Sequence, residues 1–230
     1  MTGIVDWIIN VFSDRAVVDA IRVTFLLAFG STFLSSVFGI AIGLFLERFH
    51  FPGKRLVIRI NRTLMGVPPV VVGLLVYLLL MRRGPLGSLQ LLFTIPGMLI
   101  AQTLIITPII SGMVYSYACR FVPAIRIFAV TMGAGKWQTI KLIFSELRKE
   151  LYFCMVTGFG RSISEVGAVM LVGGNIKGST RTMTTTISLL KSQGIFTEGV
   201  GLGILLLVMA FILQCLCDFF QKEEVQDENY

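Results

Sequence analysis

"GFGRSISEVGAVMLVGGN", Gly158–Asn175, carries two charges, Arg161 and Glu165, in a run otherwise made of small and apolar residues. Whether this stretch lies in water or in hydrocarbon decides the fold. Of the 230 residues, 55% are hydrophobic and only 14% are charged, and the mean hydropathy is +0.83. Such a chain cannot cover its own surface with polar groups in water. The stretch therefore reads as part of a membrane span, and the two charges inside it need an explanation.

Cutting the chain at its charges leaves five apolar runs, Val23–Leu46, Thr63–Met81, Pro96–Ala118, Leu151–Ile176 and Gly199–Cys217. Each reaches the roughly 19 residues that a helix needs to cross a hydrocarbon core about 30 Å thick. The sequence thus predicts an all-α integral membrane protein, a single domain over 1–230, with about five transmembrane helices near 18–47, 63–81, 96–118, 151–176 and 199–220. "GIVDWIINVF" near the N-terminus has no basic residue before Arg15 and carries Asp6. It reads as a short interfacial helix with Trp7 at headgroup level, rather than a signal peptide.

The basic residues set the orientation. Glu47–Arg62 holds five Lys and Arg, and the segment 119–150 adds Arg120, Arg126, Lys136, Lys141, Arg148 and Lys149. With five spans both segments fall on one side, together with the tail "QKEEVQDENY", and that side is expected to be cytoplasmic with the N-terminus outside. The net charge of +7 is then mostly a topology signal, and the partner it implies is a lipid membrane, not nucleic acid. Cys119, Cys154, Cys215 and Cys217 are expected to be free packing thiols, and the single histidine, His50, a loop residue rather than a ligand.

Within the spans, Gly39-x-x-x-Gly43 and Gly199-x-x-x-Gly203 offer close helix approach. Pro68 and Pro69 remove backbone donors early in the second span and are expected to kink or unwind it, either along a pathway or as a tolerated kink. Counting about 1.5 Å per residue from Glu150 puts Arg161 roughly 16 Å deep. A charge there costs about 2.5–3.5 kcal/mol on the insertion scale, while an i,i+4 pair on a helix surface returns about 0.3–0.5. Arg161 and Glu165 should therefore face other helices, as a staple between them or as a gate. Further out, "STRTMTTTI" (Ser179–Ile187) sets hydroxyls at Thr180, Thr182 and Thr184 around Arg181. These groups suit hydrogen bonds to a tetrahedral dianion, or else a loop that closes a gate or docks an external protein.

"CRFVPAIRIFAVTMGAGKWQTIKLIFSELRKE" (119–150) is too charged to cross a membrane and too apolar to float. Pro123 suits a helix start, Ile125, Phe128 and Met132 recur at helical spacing, and Trp137, Ile140, Ile143 and Phe144 begin a second amphipathic stretch after Gly133-Ala134-Gly135. Two short surface-lying helices around a glycine turn make a docking knob for a cytoplasmic partner. "AVTMGAGKWQTIKLIF" resembles the coupling loop of ABC importer permeases, whose usual form is Glu-Ala-Ala, three residues, Gly. Ala129 and Gly133 match it, while Ile127 and Phe128 stand in place of its Glu and first Ala. "LMGVPPVVVGLLVYLLLMRRGPLGSLQLLFT", "IAQTLIITPII" and "SISEVGAVMLVGGNIKGSTRTMTTTI" extend the resemblance to the permeases of the molybdate, tungstate and sulfate group, most closely the tungstate type, over about Val17–Phe220.

The resemblance implies a type I ABC importer permease fold in a bacterial or archaeal cell membrane. It also implies a homodimer, a cytoplasmic ATPase dimer held partly through Ala129, Gly133, Ala134 and Trp137, and an extracytoplasmic oxyanion-binding protein. No cofactor is expected on this chain. Gly135-Lys136 is followed by Trp137 rather than Ser or Thr, and Val130 occupies the leading glycine of a phosphate-binding loop, so ATP and Mg belong on the partner ATPase. A membrane enzyme would need a cluster of acids, bases or metal ligands around Glu165, which the sequence lacks. A channel or secondary transporter would leave the amphipathic loop without a task.

Overall fold

The structure is a computed structural model that describes residues 15–226, and side chains through residue 215. The expected N-terminal interfacial helix, the last residues of the tail and the Cys217 side chain lie outside the described residues. In chain order the helices are α1 (Arg15–Arg48), α2 (Lys54–Met65), α3 (Pro69–Leu80), α4 (Ile95–Thr131), α5 (Lys136–Glu146), α6 (Arg148–Ile163), α7 (Gly167–Gly173), α8 (Met183–Ser192) and α9 (Phe196–Gln226), with one 3₁₀ turn at Gly87–Leu89. Among the described residues α1, α4 and Phe196–Cys215 of α9 are each long and apolar enough to cross a membrane. The number reaches five if the broken pairs α2/α3 and α6/α7 each make one crossing.

Two of the expected spans are not continuous helices. The run Thr63–Met81 is interrupted after Met65, and its first residues belong to α2, whose twelve residues carry four Lys and Arg. Pro69 opens α3 at its first turn, where a missing N–H costs nothing. With twelve residues α3 is about 18 Å long, short of the hydrocarbon thickness. The run Leu151–Ile176 is interrupted at Ser164–Val166, between α6 and α7. In the other direction, α4 runs 37 residues, about 55 Å, well past the end of the expected third span at 118. Pro123 therefore lies inside a helix instead of starting one; its lost N–H is tolerated where the rest of the helix is held by packing.

The chain divides into two compact units. The first takes 15–31, Pro68–Gln102 and Gly160–Leu216. Its core sets Val23 and Leu27 of α1 against Met98 of α4 and Val169 of α7, with Ile95 and Leu99 beside them. In this unit α3 and α7 meet backbone to backbone, since a Cβ on Gly73 would lie 2.6 Å from the Ala168 Cα.

The second unit takes Thr32–Val67, Thr103–Phe159 and the end of α9 from Cys217. Its core is a ladder along α4, Ile106, Ile110, Val114, Ala118 and Val122, closed by Ile143, Leu147, Leu151 and Cys154. Of the thiols, Cys154 packs as expected, whereas Cys119 and Cys215 are exposed. Glu47 at the end of α1 accepts two hydrogen bonds from the Arg126 guanidinium, at 3.0 and 3.3 Å. Each unit draws on three chain segments, and α1, α4, α6 and α9 pass from one to the other in mid-helix. Neither unit is a contiguous piece of sequence.

The two glycine pairs differ in use. Gly39 and Gly43 let α1 approach α4, because added Cβ atoms would fall 2.8 Å from Ile110 and 2.7 Å from Val114. A Cβ on Gly203 would have nothing within 4 Å, and one on Gly199 only ordinary contacts at 3.6 and 3.9 Å. Gly43→Val is accordingly expected to cost about 1–3 kcal/mol through overpacking against Val114 and the Ser111 carbonyl. Gly203→Val should change the fold of the single chain by less than about 0.5 kcal/mol. Thermal unfolding of the two detergent-purified variants checks this, and similar losses would contradict the difference in packing.

Candidate functional site

The break between α6 and α7 is built around Glu165, whose residue is 5% exposed. One carboxylate oxygen accepts from the Ala168 N–H at 3.1 Å, covering one of the donors that the start of α7 leaves open. The other pairs with the Arg161 guanidinium at 3.1 Å. The Glu165 carbonyl accepts from the Thr184 hydroxyl at 3.0 Å. A Cβ on Gly167 would meet Val70 at 2.5 Å, so the first turn of α3, just after Pro68 and Pro69, lies against the same break. The expected i,i+4 pair is present, but Glu165 stands outside the helix that carries Arg161. It works as an N-terminal cap for α7 that also holds a counter-ion.

α8 is fixed by its own hydroxyls. Thr182 caps it, accepting from the Thr185 N–H at 3.2 Å, and the Thr185 hydroxyl accepts from the Thr182 N–H at 2.9 Å, a reciprocal box. Thr182 and Thr184 share a hydrogen bond at 2.9 Å, so the cap of α8 joins the Glu165 carbonyl through one hydroxyl. The Met183 N–H donates to Thr24 of α1 at 2.9 Å. Thr180 and Arg181 sit apart from this group, in the turn after α7. The Thr180 hydroxyl donates to the Gly173 carbonyl and accepts from the Ile176 N–H. Arg181 donates from Nε to the Asn175 side-chain oxygen at 3.1 Å and from its guanidinium to the Asn175 carbonyl at 3.2 Å.

Thr180, Thr182 and Thr184 are all buried, and each bonds to the chain itself. Their hydroxyls are engaged within the chain, where they brace the turn after α7 and the start of α8. The sequence reading missed Thr24 and a buried triad in the first unit. There Ser162 shares a hydrogen bond with Ser31 at 2.7 Å and donates to Gln102 at 3.3 Å. Gln102 alone stands out in its apolar run; the two serines carry no local signal.

The second candidate site is the elbow between α4 and α5, in the other unit. The Gly133 N–H donates to the Val130 carbonyl and the Ala134 N–H to the Ala129 carbonyl, the paired bonds of a Schellman ending. Gly133 has φ of +72°, a left-handed conformation that a side chain resists. Ala129 is fully buried, which explains a small residue there, while Met132 is 71% and Trp137 84% exposed. Ile127, Phe128, Val130, Ile140 and Phe144 are exposed as well. The four residues expected to couple to a partner, Ala129, Gly133, Ala134 and Trp137, therefore share one elbow that presents apolar surface.

Substitutions at Glu165 separate its two duties. Glu165→Gln keeps an oxygen for the Ala168 N–H but leaves Arg161 without its counter-ion, and is expected to cost about 1–2 kcal/mol. Glu165→Ala removes cap and counter-ion together, for about 2–3 kcal/mol. Arg161→Leu keeps the cap but leaves a buried carboxylate without its counter-ion, and should cost at least as much as Glu165→Ala. Unfolding midpoints in detergent give the order, and equal losses for Gln and Ala would show that the cap contributes nothing.

Comparison with known proteins agrees with this architecture. Residues 39–223 match the family described as "binding-protein-dependent transport system inner membrane component". The tungstate uptake system permease protein TupB of Peptoclostridium acidaminophilum is 44% identical over 193 residues, 84% of this chain and 85% of that one. The TupB of Campylobacter jejuni is 36% identical, covering 87% and 84% of the two chains. The sulfate transport system permease protein CysW of Escherichia coli K12 is 28% identical, covering 95% and 80%. A bacterial ABC transporter that imports the acidic polysaccharide alginate superposes with a TM-score of 0.76 over 95% of this chain and 83% of that one, at 18% identity. That likeness carries the type I ABC importer fold, and with the family match it leads to one conclusion: the chain belongs to the binding-protein-dependent transport system inner membrane components, the permease subunits of ABC importers.

Proposed function

We propose that this chain is the permease subunit of an ATP-driven importer that moves a tetrahedral oxyanion, tungstate before molybdate, into the cytoplasm. The observation that carries this reading is the 44% identity to a tungstate permease over 84% of the chain, against 28% and 32% to two sulfate permeases. Two copies would form the path in the cell membrane, each crossing it about five times, with the N-terminus outside and the basic segments inside. A separate ATPase dimer would dock at the α4–α5 elbow and supply ATP and Mg, and an external binding protein would deliver the anion.

The geometry supports a passage that does not retain its cargo. A bare guanidinium along the path would hold a dianion by paired, charge-assisted hydrogen bonds. Arg161 is neutralised by Glu165, and Thr180, Thr182 and Thr184 direct their hydroxyls to the chain itself. The permease then offers polar, satisfied walls and leaves selection to the binding protein. Opening would move whole segments: α7 is tied through Glu165 to α6 and α8, so the break shifts as one body.

Uptake of labelled tungstate, molybdate and sulfate by the reconstituted complex with its binding protein decides the substrate. Saturable, ATP-dependent uptake of tungstate at the lowest concentration is expected, and sulfate uptake at equal efficiency would move the reading to the sulfate type. Uptake without ATP would end the importer reading. Gly133→Asp is expected to reduce coupled uptake at least about tenfold with the protein still inserted. An aspartate must hold φ of +72° at the tip of the elbow and be desolvated against the ATPase. Pulldown of the ATPase and substrate-stimulated ATP hydrolysis check it; wild-type affinity and coupling in this variant would remove the elbow from the docking surface.

A further inference from the structure

We infer that α2 is a lipid-reading helix: it lies at the membrane boundary and binds an anionic phospholipid through Arg55, Arg59 and Arg62. The inference rests on the membrane placement of the chain, not on the identity of the transported anion. Twelve residues, "KRLVIRINRTLM", form a helix with no fully buried side chain. At 100° per residue they sort into three faces. Lys54, Ile58, Asn61 and Met65 make the inner one. The Lys54 ammonium lies 5.9 Å from the Tyr115 ring centre. Asn61 donates to the Pro108 carbonyl at 3.2 Å and accepts from the Ser111 hydroxyl at 2.9 Å. Met65 lies against Gly112.

On the single chain the other two faces are exposed. Arg55, Arg59 and Arg62 form an exposed basic stripe, and no carboxylate of the described residues pairs with any of them. Leu56, Val57, Ile60 and Leu64 form an apolar stripe, 61%, 41%, 49% and 44% exposed. An apolar stripe beside a cationic one on a short helix is the composition of a segment lying in the headgroup layer. The neighbouring helix agrees on depth. The apolar run of α4 starts at Ile95 and meets its first charge at Arg120. A hydrocarbon core of about 30 Å uses roughly 20 of those residues, which ends it near Tyr115. α2 touches α4 at Pro108, Ser111, Gly112 and Tyr115, the last turns before that boundary.

Beneath α2 a cavity of about 450 Å³ opens against α4. Asn61, Arg62, Tyr115 and Ser116 give it polar walls, and Ile58 and Met65 apolar ones. None of its lining residues is acidic, and the nearby Glu47 is engaged with Arg126. The Arg62 guanidinium in the wall of a half-apolar cavity complements a phosphodiester with an acyl chain attached, better than it does a free inorganic anion, which has nothing to bury against Ile58 and Met65. The occupant is an anionic glycerophospholipid of the leaflet that faces the ATPase.

The test uses the full permease with its ATPase, purified and exchanged into nanodiscs of phosphatidylcholine with or without phosphatidylglycerol. Retained lipid is counted by native mass spectrometry, and lipid preference by competition with a fluorescent phosphatidylglycerol. Each arginine near a charged surface contributes about fivefold, so Arg55→Gln/Arg59→Gln/Arg62→Gln should lower the preference for phosphatidylglycerol at least about tenfold. The matching triple lysine variant should stay within about threefold of the parent, since charge is what the headgroup reads. Arg82→Gln/Arg83→Gln, which removes charge elsewhere, should leave the preference unchanged. An unchanged preference in the triple glutamine variant would overturn the inference, as would an equal loss in the Arg82/Arg83 variant. Displacement of the lipid by millimolar inorganic phosphate or tungstate alone would also overturn it, by making the cavity a free-anion site. The readout needs no transport, so a failed tungstate assignment leaves it standing.

Discussion

A helix that breaks inside hydrocarbon must find partners for the N–H and C=O groups it releases, because lipid offers none. The rest of the first unit depends on how that demand is met at Ser164–Val166. A single glutamate meets most of it. Its carboxylate takes the Ala168 N–H and the Arg161 charge, and its carbonyl takes the Thr184 hydroxyl. Each link reaches a different element, so the break joins α6, α7 and α8 instead of loosening them. Gly73 then lets α3 close on Ala168, shielding the repaired backbone.

The elbow meets the same demand by another route. α4 ends with backbone bonds to its own last carbonyls and needs only Gly133 in a left-handed conformation. Its polar groups are satisfied locally, so its side chains are free to be apolar and exposed, and Met132 and Trp137 are. The Glu47–Arg126 pair fixes the same stretch of α4 to the end of α1, seven residues before Gly133. The end of α4 is therefore braced against the end of α1.

Much of this was legible in the sequence, and the parts that were not share a cause. Apolar run length and charge placed α1, α4 and α9, because insertion depends on those quantities alone. Pro68 and Pro69 announced one break chemically. The other break has no proline and lies before Gly167, not at it; it exists because Glu165, Thr184 and Ala168 converge in three dimensions, which no local pattern carries. Pro123 misled for the converse reason, since packing along α4 outweighs a lost N–H. The threonines of Ser179–Ile187 looked available as long as their neighbours were unknown, and once the turn folds each has a partner. Glu47 and Arg126, 79 residues apart, were invisible as a pair.

The two ion pairs share an asymmetry that bears on their purpose. Glu165 and Glu47 have side chains 5% and 9% exposed, whereas their arginines are 33% and 30% exposed. A wholly buried pair loses more in desolvation than it returns, and an exposed one returns little. Burying only the carboxylate limits the first penalty: it receives short, directional bonds from the protein, while one edge of the broad, weakly hydrated guanidinium is left uncovered by the chain. Such pairs add modestly to stability, but they fix direction. Each carboxylate is satisfied by groups from elements other than its own, so each pair fixes how those elements meet.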